Sequence, residues 1–481
     1  MISPEMKTSY NKQITETIPF TQQPEMSKSY YLNEIRKIIE TPSNPIHHYL
    51  SSKLSIKNWI KEWDFKKSKI DIYTHQIHKY PAMFIPQLIR KLLYEYSDEG
   101  DVVMDIFSGS GTTSVECLLT NRNSVGIELN PLANCISKVK TTPLKQDKLV
   151  KSYKSLIKNY FDSKVDTPNS FAGIDTWFLE SSIKYLSHLL KCIRLEKNGD
   201  VHRVFEVSFS DIIRYVSLVR HNGFKLHRDK TKFDVEWTKE TLFQEFHKSF
   251  CKSFRGLTDL YKDKTDVSTT LLKNNSAKFL KEYSDSIDLI ITSPPYGDSR
   301  TTVAYGQFSR LSSQWLGYIG SNEKGHIRNI DNELLGGKTN GIELNDPVLE
   351  RSITLYSSIL GFKSLIDSSE GEEKKKLVKR TKDVLSFYID LEKTIINGSK
   401  YLKSDKYFIL ITGSRIVKGI KLNTDLIIAE LGENYGLLLD GILYRKTIPN
   451  KRMPHKVSAT NVVGEKTPTM SKESIVILRK K

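Results

Sequence analysis

Residues 287–296 read Ile-Asp-Leu-Ile-Ile-Thr-Ser-Pro-Pro-Tyr, and this stretch decides the fold. Its apolar first part, 287–292, predicts a buried strand. Two prolines and an aromatic residue follow the strand directly. Open α/β sheets bind their ligands beyond the carboxyl ends of the strands, so we expect the Ser-Pro-Pro-Tyr segment to lie at such a site.

A glycine-rich turn follows a second apolar strand, predicted over 102–106. It reads Asp105-Ile106-Phe107-Ser108-Gly109-Ser110-Gly111-Thr112-Thr113. The two glycines allow the backbone to turn sharply and to approach a ligand closely. The dinucleotide fingerprint Gly-x-Gly-x-x-Gly is not present, because the third glycine is missing, and this argues against an NAD oxidoreductase.

Together, the glycine-rich turn and the Ser-Pro-Pro-Tyr loop resemble the amino-group DNA methyltransferases that use S-adenosylmethionine. Serine in the first place of the loop is similar to the cytosine-N4 branch of that family. The resemblance covers about residues 71–142 and 271–481. It implies an α/β fold of the class I methyltransferase type. Such a fold has a Rossmann-like seven-stranded sheet that ends in an antiparallel hairpin. In this chain we expect a mostly helical insert in addition.

The apolar runs fit that fold and divide the chain into four parts. Seven strands are predicted, over 102–106, 124–129, 270–272, 287–292, 407–412, 437–444 and 474–478. The expected parts are a polar, partly disordered N-terminal extension (1–70), a cofactor-binding half (71–142), a helical insert that is a candidate for DNA recognition (143–270) and a catalytic half (271–481). The chain ends at the last strand, so we expect recognition to come from the inserts.

The resemblance assigns the cofactor site to two strand ends. In this family, the acid of the first strand and the turn beside it hold the methionine part of the cofactor. A carboxylate at the end of the second strand, here Glu128, accepts hydrogen bonds from the ribose hydroxyls. Leu129 would flank the adenine, and Asn275 stands where the family often has Asp. The residues assigned from the first strand are Asp105, Phe107, Ser108, Gly109, Gly111 and Thr112. An ordinary turn with a solvated Glu128 is the alternative.

Residues 75–84 resemble the family segment that packs on the methionine end of the cofactor. The segment contains His75 and His78, whose spacing also suits a metal ion. No Cys, Asp or Glu cluster accompanies them, so we expect no metal site.

The catalytic interpretation of 293–296 follows from the chemistry of an exocyclic amine. The lone pair of this amine is delocalised into the ring, so it is a poor nucleophile. Ser293 Oγ and the Pro294 carbonyl can accept the two amino hydrogens and favour a pyramidal nitrogen. Pro294 and Pro295 fix φ and preorganise the loop, and Tyr296 can stack on a base rotated out of the duplex. The alternative is that the prolines only form a structural bend. The N6 amino group of adenine also stays open as the target.

The charge balance suggests a polyanionic partner. The chain has 73 Lys plus Arg against 56 Asp plus Glu, a net charge of +17. Nucleic acid is the commonest such partner, and a merely basic soluble protein is the alternative.

The recognition of bases is assigned to the insert. Arginine can make bidentate hydrogen bonds to guanine, whereas lysine mostly contacts phosphate. The DNA-contact candidates are Arg220 and Arg228 in the insert, Arg300 in a loop (298–310) expected to close over the flipped base, and Lys451 and Arg452. Residues 321–385 compete with the insert for recognition.

The remaining features concern location and the choice of function. Four widely spaced cysteines suggest reduced thiols in the cytoplasm. Neither a signal core nor an apolar run of about 18 residues is present, which argues against a membrane location. We therefore expect a site-specific methyltransferase of double-stranded DNA that forms N4-methylcytosine in a restriction-modification system with a cognate endonuclease. The alternatives are an adenine-N6 enzyme, an RNA base methyltransferase and a specificity protein with a dead site. The intact motifs argue against the last of these.

Overall fold

A twisted sheet of seven strands forms the centre of the computed structural model. The structure describes residues 63, 65, 68–165, 168–220, 223–297, 303–318, 332–446, 456–457, 467–468 and 472–481. Most of the predicted N-terminal extension therefore lies outside the described residues. In the described residues the strands are β1 Val102–Asp105, β2 Asn123–Ile127, β3 Thr269–Leu272, β4 Ile287–Thr292, β5 Leu402–Thr412, β6 Arg415–Val417, β7 Ile420–Leu422, β8 Leu437–Lys446, β9 Lys456–Val457, β10 Thr467–Pro468 and β11 Lys472–Lys480.

The strand order of the main sheet is β3-β2-β1-β4-β5-β11-β8. Strands β1 to β5 run parallel to one another, with β1 between β2 and β4. Strand β11 runs antiparallel to both β5 and β8. All seven predicted strands are present and the last two form the expected antiparallel pair, so the predicted α/β class I methyltransferase fold is confirmed.

Helices cover both faces of the sheet and fill the stretch between β2 and β3. Their bounds are α1 Pro86–Tyr96, α2 Thr112–Leu119, α3 Pro131–Thr141, α4 Gln146–Asp162, α5 Ile174–Trp177, α6 Glu180–Arg194, α7 Gly199–Val216, α8 Lys239–Asp263, α9 Tyr305–Trp315, α10 Ile353–Asp367, α11 Gly371–Tyr401 and α12 Thr424–Glu433. Short 3-10 turns lie at Lys230–Lys232, Lys281–Tyr283 and Pro347–Arg351. In the described part of the chain, no helix combines the length and apolar character needed to cross a membrane.

Alternate residues of the central strands serve two separate cores, as expected for a sheet buried on both faces. Val103 and Leu289 point to the face covered by α1, where they pack with Leu88 and Leu92. The next residues, Met104 and Ile290, join the opposite core, which α10, α11 and α12 complete. The sheet is therefore held rigidly between two helical layers.

A third core lies to one side of the sheet and consists of helices. It joins α3 to α4, α6, α7 and α8, and it also takes in Leu311 and Trp315 of α9. Trp315 packs edge-on against Phe171 and Phe178, with ring centroids 5.5 Å apart in each case. The insert is helical, as predicted, and it shares one core with helices on both sides of it. The domain boundaries at 143 and 270 stay a prediction.

Candidate functional site

A cleft opens at the carboxyl ends of four neighbouring strands, β3, β2, β1 and β4. The loops after these strands line it, and the segment 80–84 together with Val303, Tyr305 and 333–335 closes its other sides. The predicted site residues in the lining are Phe107, Ser108, Gly109, Thr112, Glu128, Leu129, Asn275, Ser293, Pro294, Pro295 and Tyr296. The structure therefore brings the two sequence motifs into one cleft, at the edge of the sheet where α/β folds bind ligands.

The glycine-rich turn depends on two glycines with positive φ. Gly109 has φ +50° and Gly111 has φ +81°, a region that favours glycine. A Cβ on Gly111 would also lie 2.2 Å from Ser137 Oγ of α3. Gly111 does not line the cleft. Its role in the structure is to let α2 start close against α3, whereas Gly109 belongs to the cleft wall.

Asp105 lies behind the turn rather than in the cleft lining. It is 1% exposed, and it accepts hydrogen bonds from Phe107 N (3.1 Å), Thr113 Oγ1 (2.7 Å) and Thr292 Oγ1 (2.7 Å). Burial raises the pKa of its carboxyl to about 6. Asp105 therefore ties the turn and α2 to the end of β4, just before the Ser-Pro-Pro-Tyr loop.

Glu128 is a half-buried carboxylate that faces the cleft and is fixed by the main chain. Its Oε2 accepts from Gly109 N at 2.9 Å and its Oε1 from Asn130 N at 2.6 Å. Burial raises the pKa of this carboxyl to about 7. Each carboxylate oxygen can accept a further hydrogen bond, so hydroxyl groups in the cleft would find an oriented acceptor here.

Asn275 uses its side-chain amide to hold the loop after β3. Its Oδ1 accepts from Ala277 N at 2.9 Å, and its Nδ2 donates to the Glu333 carbonyl at 3.0 Å. Glu333 also lines the cleft. The amide thus joins two parts of the wall, and Oδ1 keeps one lone pair for a ligand.

Helix α9 supplies an aromatic wall that the sequence analysis did not assign. The Tyr305 ring stacks on Tyr80 with centroids 6.1 Å apart, and Phe308 meets Tyr80 edge-on at 5.8 Å. Ser309 accepts a 2.7 Å hydrogen bond from Asn130 Nδ2. The prediction of a loop over 298–310 is wrong from Tyr305 onward, because these residues form a helix packed in the third core. The spacing of the aromatic residues Tyr305, Phe308 and Trp315 is typical of one face of a helix and could have predicted this helix.

The two histidines of the 75–84 segment have structural partners. His75 Nε2 lies 2.8 Å from Glu116 Oε1, and Arg90 also pairs with Glu116. His78 Nε2 lies 2.9 Å from Ser210 Oγ. Burial lowers the pKa of both histidines. Within the described ranges, no group of three or more His, Cys, Asp or Glu residues could hold a metal ion.

The Ser-Pro-Pro-Tyr loop is fixed on its far side by the last two strands. Tyr296 donates from its hydroxyl to Glu473 Oε1 at 3.2 Å, and Glu473 Oε2 lies 3.3 Å from Arg445 Nε. Burial and the charge of Glu473 raise the pKa of the Tyr296 hydroxyl. Gly297 follows with φ +154°, and a Cβ there would lie 2.0 Å from Arg415 Nη1. The partners Arg445 and Glu473 could not be found before the register of β8 and β11 was known.

Two of the predicted DNA contacts lie on a basic hairpin, formed by residues 218–220 and 223–229. Val219 and Arg228 form an antiparallel bridge, and Arg220 N donates to the His227 carbonyl at 2.9 Å. Both arginines are exposed, with the Arg228 guanidinium 4.5 Å from the centroid of the Phe233 ring. The other three candidates, Arg300, Lys451 and Arg452, lie outside the described residues.

Arg214 has a different role from its basic neighbours. It donates from Nη2 to the Gly223 carbonyl at 2.7 Å and lies 4.8 Å from the Phe308 centroid. Burial lowers its pKa to about 10. Leu226 N also donates to Gln307 Oε1 at 3.3 Å. These contacts attach the basic hairpin to α9, and through α9 to the cleft wall.

Comparison with known proteins finds that this chain is similar in sequence to DNA methyltransferases. A family model described as DNA methylase matches residues 4–137. The type II methyltransferase M.MvaI of Kocuria varians is 35% identical over 448 residues, which cover 89% of this chain and 96% of that protein. The type II methyltransferase M.AvaI of Nostoc sp. is 24% identical over 402 residues, covering 77% and 80%. The solved rRNA methyltransferase aviRa from Streptomyces viridochromogenes covers 84% of this chain and 88% of its own at 9% identity. Its TM-score of 0.28 is too low to support an argument.

Proposed function

The chain belongs to the DNA methylase family, and from that premise we propose that it methylates the N4 amino group of cytosine at a specific site in duplex DNA. Membership makes it a site-specific DNA amino-methyltransferase with S-adenosylmethionine as the methyl donor. The choice of cytosine rests on Ser293. The observation that carries the proposal is that the Glu128 turn and the Ser293–Tyr296 loop line one cleft.

The residues of the cleft fit the methyl donor, which supplies an electrophilic methyl group on a sulfonium. Ser108 Oγ is buried in the wall and has no hydrogen-bond partner among the residues that the structure describes, and buried polar groups of this kind call for one. Glu128 offers an oriented carboxylate for the ribose hydroxyls, and Leu129 offers an apolar face for the adenine. We assign the remaining lone pair of Asn275 Oδ1 to the adenine amino group.

The catalytic step places the target amine at the loop after β4. Ser293 Oγ and the Pro294 carbonyl accept its two hydrogens, which concentrates the nitrogen lone pair for in-line attack on the methyl carbon. Pro294 and Pro295 hold the acceptors in place because their φ angles are fixed. The Tyr296 ring, held by Glu473, stacks on the target base. With the donor bound, its sulfonium would supply the methyl group to the amine nitrogen in exchange for the carbon–sulfur bond, and the amine would release a proton to solvent.

Duplex recognition is assigned to the basic hairpin. Arg220 and Arg228 are exposed there, and arginine can make bidentate contacts to guanine. The attachment of the hairpin to α9 supports this assignment, because it places the hairpin beside the wall of the cleft. Arg300, Lys451 and Arg452 are assigned to the DNA backbone. Residues 321–385, which include α10 and part of α11, are the alternative for recognition.

The biological setting we propose is a restriction-modification system. The relatives that match over most of their length are named type II methyltransferases. We therefore propose that the chain protects cytoplasmic DNA against a cognate endonuclease that cuts at the same sequence.

The test is the identity of the methylated nucleoside. DNA from a host without endogenous methylation, after expression of the full chain, is digested and analysed by mass spectrometry. We expect N4-methylcytosine and no added N6-methyladenine, with neither product from the Tyr296→Ala variant. Methyladenine alone would overturn the cytosine assignment. Modification of RNA with unmodified DNA would overturn the substrate class.

A further inference from the structure

Glu473 and Arg445 form a buried ion pair directly behind the Ser-Pro-Pro-Tyr loop. Their side chains are 4% and 1% exposed, and Glu473 Oε2 lies 3.3 Å from Arg445 Nε. The other carboxylate oxygen, Oε1, accepts a hydrogen bond from the Tyr296 hydroxyl at 3.2 Å. An ionised carboxylate can only accept hydrogen bonds, so the ion pair fixes the direction in which Tyr296 donates.

The direction of this hydrogen bond constrains Ser293, at the start of the same loop. A phenol has a single proton, and Tyr296 donates it to Glu473, so the phenol oxygen can only accept from other groups. Burial and the charge of Glu473 raise the pKa of Tyr296, whereas a side-chain hydrogen bond with Ser293 lowers it. A donor has this effect because it stabilises the phenolate. Ser293 is therefore the donor to Tyr296, and we call this chain of contacts the hydroxyl relay.

A serine that directs its proton away from a ligand offers that ligand its lone pairs. Ser293 and Tyr296 both line the cleft. The function proposed above, on which this inference rests, places the amine of the target base there. A serine proton pointing into the cleft would bind the nitrogen lone pair that has to attack the methyl carbon. The hydroxyl relay turns this proton toward Tyr296 instead.

We propose that Glu473 and Arg445 are positioning residues for methyl transfer, which act through the Tyr296 hydroxyl to keep Ser293 Oγ an acceptor. Neither side chain belongs to the cleft lining that the structure describes. They lie opposite each other on β11 and β8, and they reach the loop only through the hydroxyl relay. The relay needs an exocyclic amine as its target, and it applies equally to cytosine N4 and adenine N6.

The experiment is a double-mutant cycle on single-turnover methyl transfer to DNA, with DNA and donor saturating. The amide of Glu473→Gln can donate to the Tyr296 oxygen and so reverse the hydroxyl relay. Because this change alone leaves a buried guanidinium unpaired, it is combined with Arg445→Met. We expect the combined variant to be about 10-fold slower than the wild type. In a Tyr296→Phe background, where the relay is already broken, the same two changes should slow transfer by less than about 3-fold.

The comparison of the two backgrounds separates positioning from structural damage. A purely structural ion pair predicts the same loss with and without the Tyr296 hydroxyl, and that result overturns the proposal. Asp440→Asn makes the same change of carboxylate to amide at an exposed position of β8. This control should transfer methyl groups at the wild-type rate.

A second measurement keeps the ion pair intact and decides the matter if the combined variant does not fold. Once the modified position has been mapped by sequencing, a duplex is made with uracil in place of the target cytosine, or hypoxanthine in place of adenine. Either base presents a carbonyl oxygen where the amine was. In Tyr296→Phe the serine proton is free to turn toward this oxygen, whereas in the wild type it is not.

We therefore expect Tyr296→Phe to shift the ratio of the two affinities, carbonyl duplex over amine duplex, at least about 3-fold toward the carbonyl duplex. An unchanged ratio overturns the proposal. If the wild-type protein transfers no methyl group to DNA, the proposed function itself is wrong and the positioning role falls with it. An active wild type with equal losses in both backgrounds refutes the hydroxyl relay alone.

Discussion

Tyr296, on the loop after β4, donates a 3.2 Å hydrogen bond to Glu473 on β11. Glu473 lies opposite Arg445 in the register of β8 and β11 and forms an ion pair with it. The residue proposed to stack on the target base is therefore held by the terminal strand pair. This pair supports the Ser-Pro-Pro-Tyr loop as well as forming one edge of the sheet.

The first prediction separates the Tyr296 ring from its hydroxyl. Tyr296→Phe loses one hydrogen bond to a carboxylate, a kind worth about 1.5–3 kcal/mol in stability. Because the stacking ring is kept, we expect the single-turnover rate to fall by no more than about 10-fold. Tyr296→Ala removes the stacking surface and should nearly abolish methyl transfer. The measurement is transfer of a labelled methyl group to DNA. A Phe variant as inactive as the Ala variant would show that the hydroxyl is essential.

The second prediction concerns Glu128. Glu128→Ala should weaken binding of S-adenosylhomocysteine by about 1.5–3 kcal/mol, the range of hydrogen bonds to a charged group. Calorimetry measures this change, and Glu433→Ala, at an exposed position on α12, serves as the control. Unchanged affinity in Glu128→Ala would refute the ribose assignment.

The third prediction is a dependence of cofactor affinity on pH that comes from Glu128. Hydroxyl donors favour the ionised form of Glu128, whose pKa is raised to about 7, so affinity rises as the pH approaches 7 from below. Glu128→Gln cannot ionise at this position and should remove the rise. The ligand amino group titrates in every variant and cancels in the comparison. If the affinity of the wild-type protein does not change between pH 6 and 8, the ribose assignment of Glu128 is contradicted.

The fourth prediction assigns a structural role to Asp105. Asp105→Ala leaves the buried hydroxyl of Thr113 without its acceptor and removes the link to β4, so the free energy of unfolding should fall by about 2–3 kcal/mol. Urea unfolding measures it, with Asp440→Ala at an exposed position of β8 as control. The folded pKa of about 6 lies above the ordinary value of 3.8. The contribution of this group to stability is therefore greatest below pH 3.8 and is lost as the pH rises through 6. Asp105→Asn should lack that dependence.

The fifth prediction concerns recognition. Arg220→Ala or Arg228→Ala should reduce discrimination between cognate and mismatched DNA, whereas Arg255→Ala, exposed on α8, should not. Arg214→Ala should lower thermal stability, since Arg214 links the basic hairpin to α9. Replacing Lys451 or Arg452 should weaken binding to all sequences about equally and reduce its salt dependence. Competition binding with matched duplexes measures discrimination and affinity, and thermal unfolding measures the stability of Arg214→Ala. If changes in 321–385 relax discrimination and the hairpin variants do not, recognition belongs to that segment.

Local sequence patterns located all seven strands of the sheet, and they did so best where a strand such as β4 is buried and forms a continuous apolar run. The two motifs were found for the same reason, since each directly follows such a run. Partners set by tertiary packing were not predicted. Lys140 and Arg214 look like solvated cations in the sequence, and only the packing of α3 and α9 buries them. Arg445 and Glu473 are distant in sequence and meet only through strand pairing.

The third core has a consequence for protein engineering. Helices α4 to α8 share that core with α3, which follows the Glu128 loop, and with α9, whose Tyr305 lines the cleft. A chimera that transplants only the insert onto another enzyme of this fold would cut through close-packed side chains on both sides. To transfer sequence specificity as a cassette, the exchange would have to include α3 and α9. The graft would then carry part of the cleft wall with it.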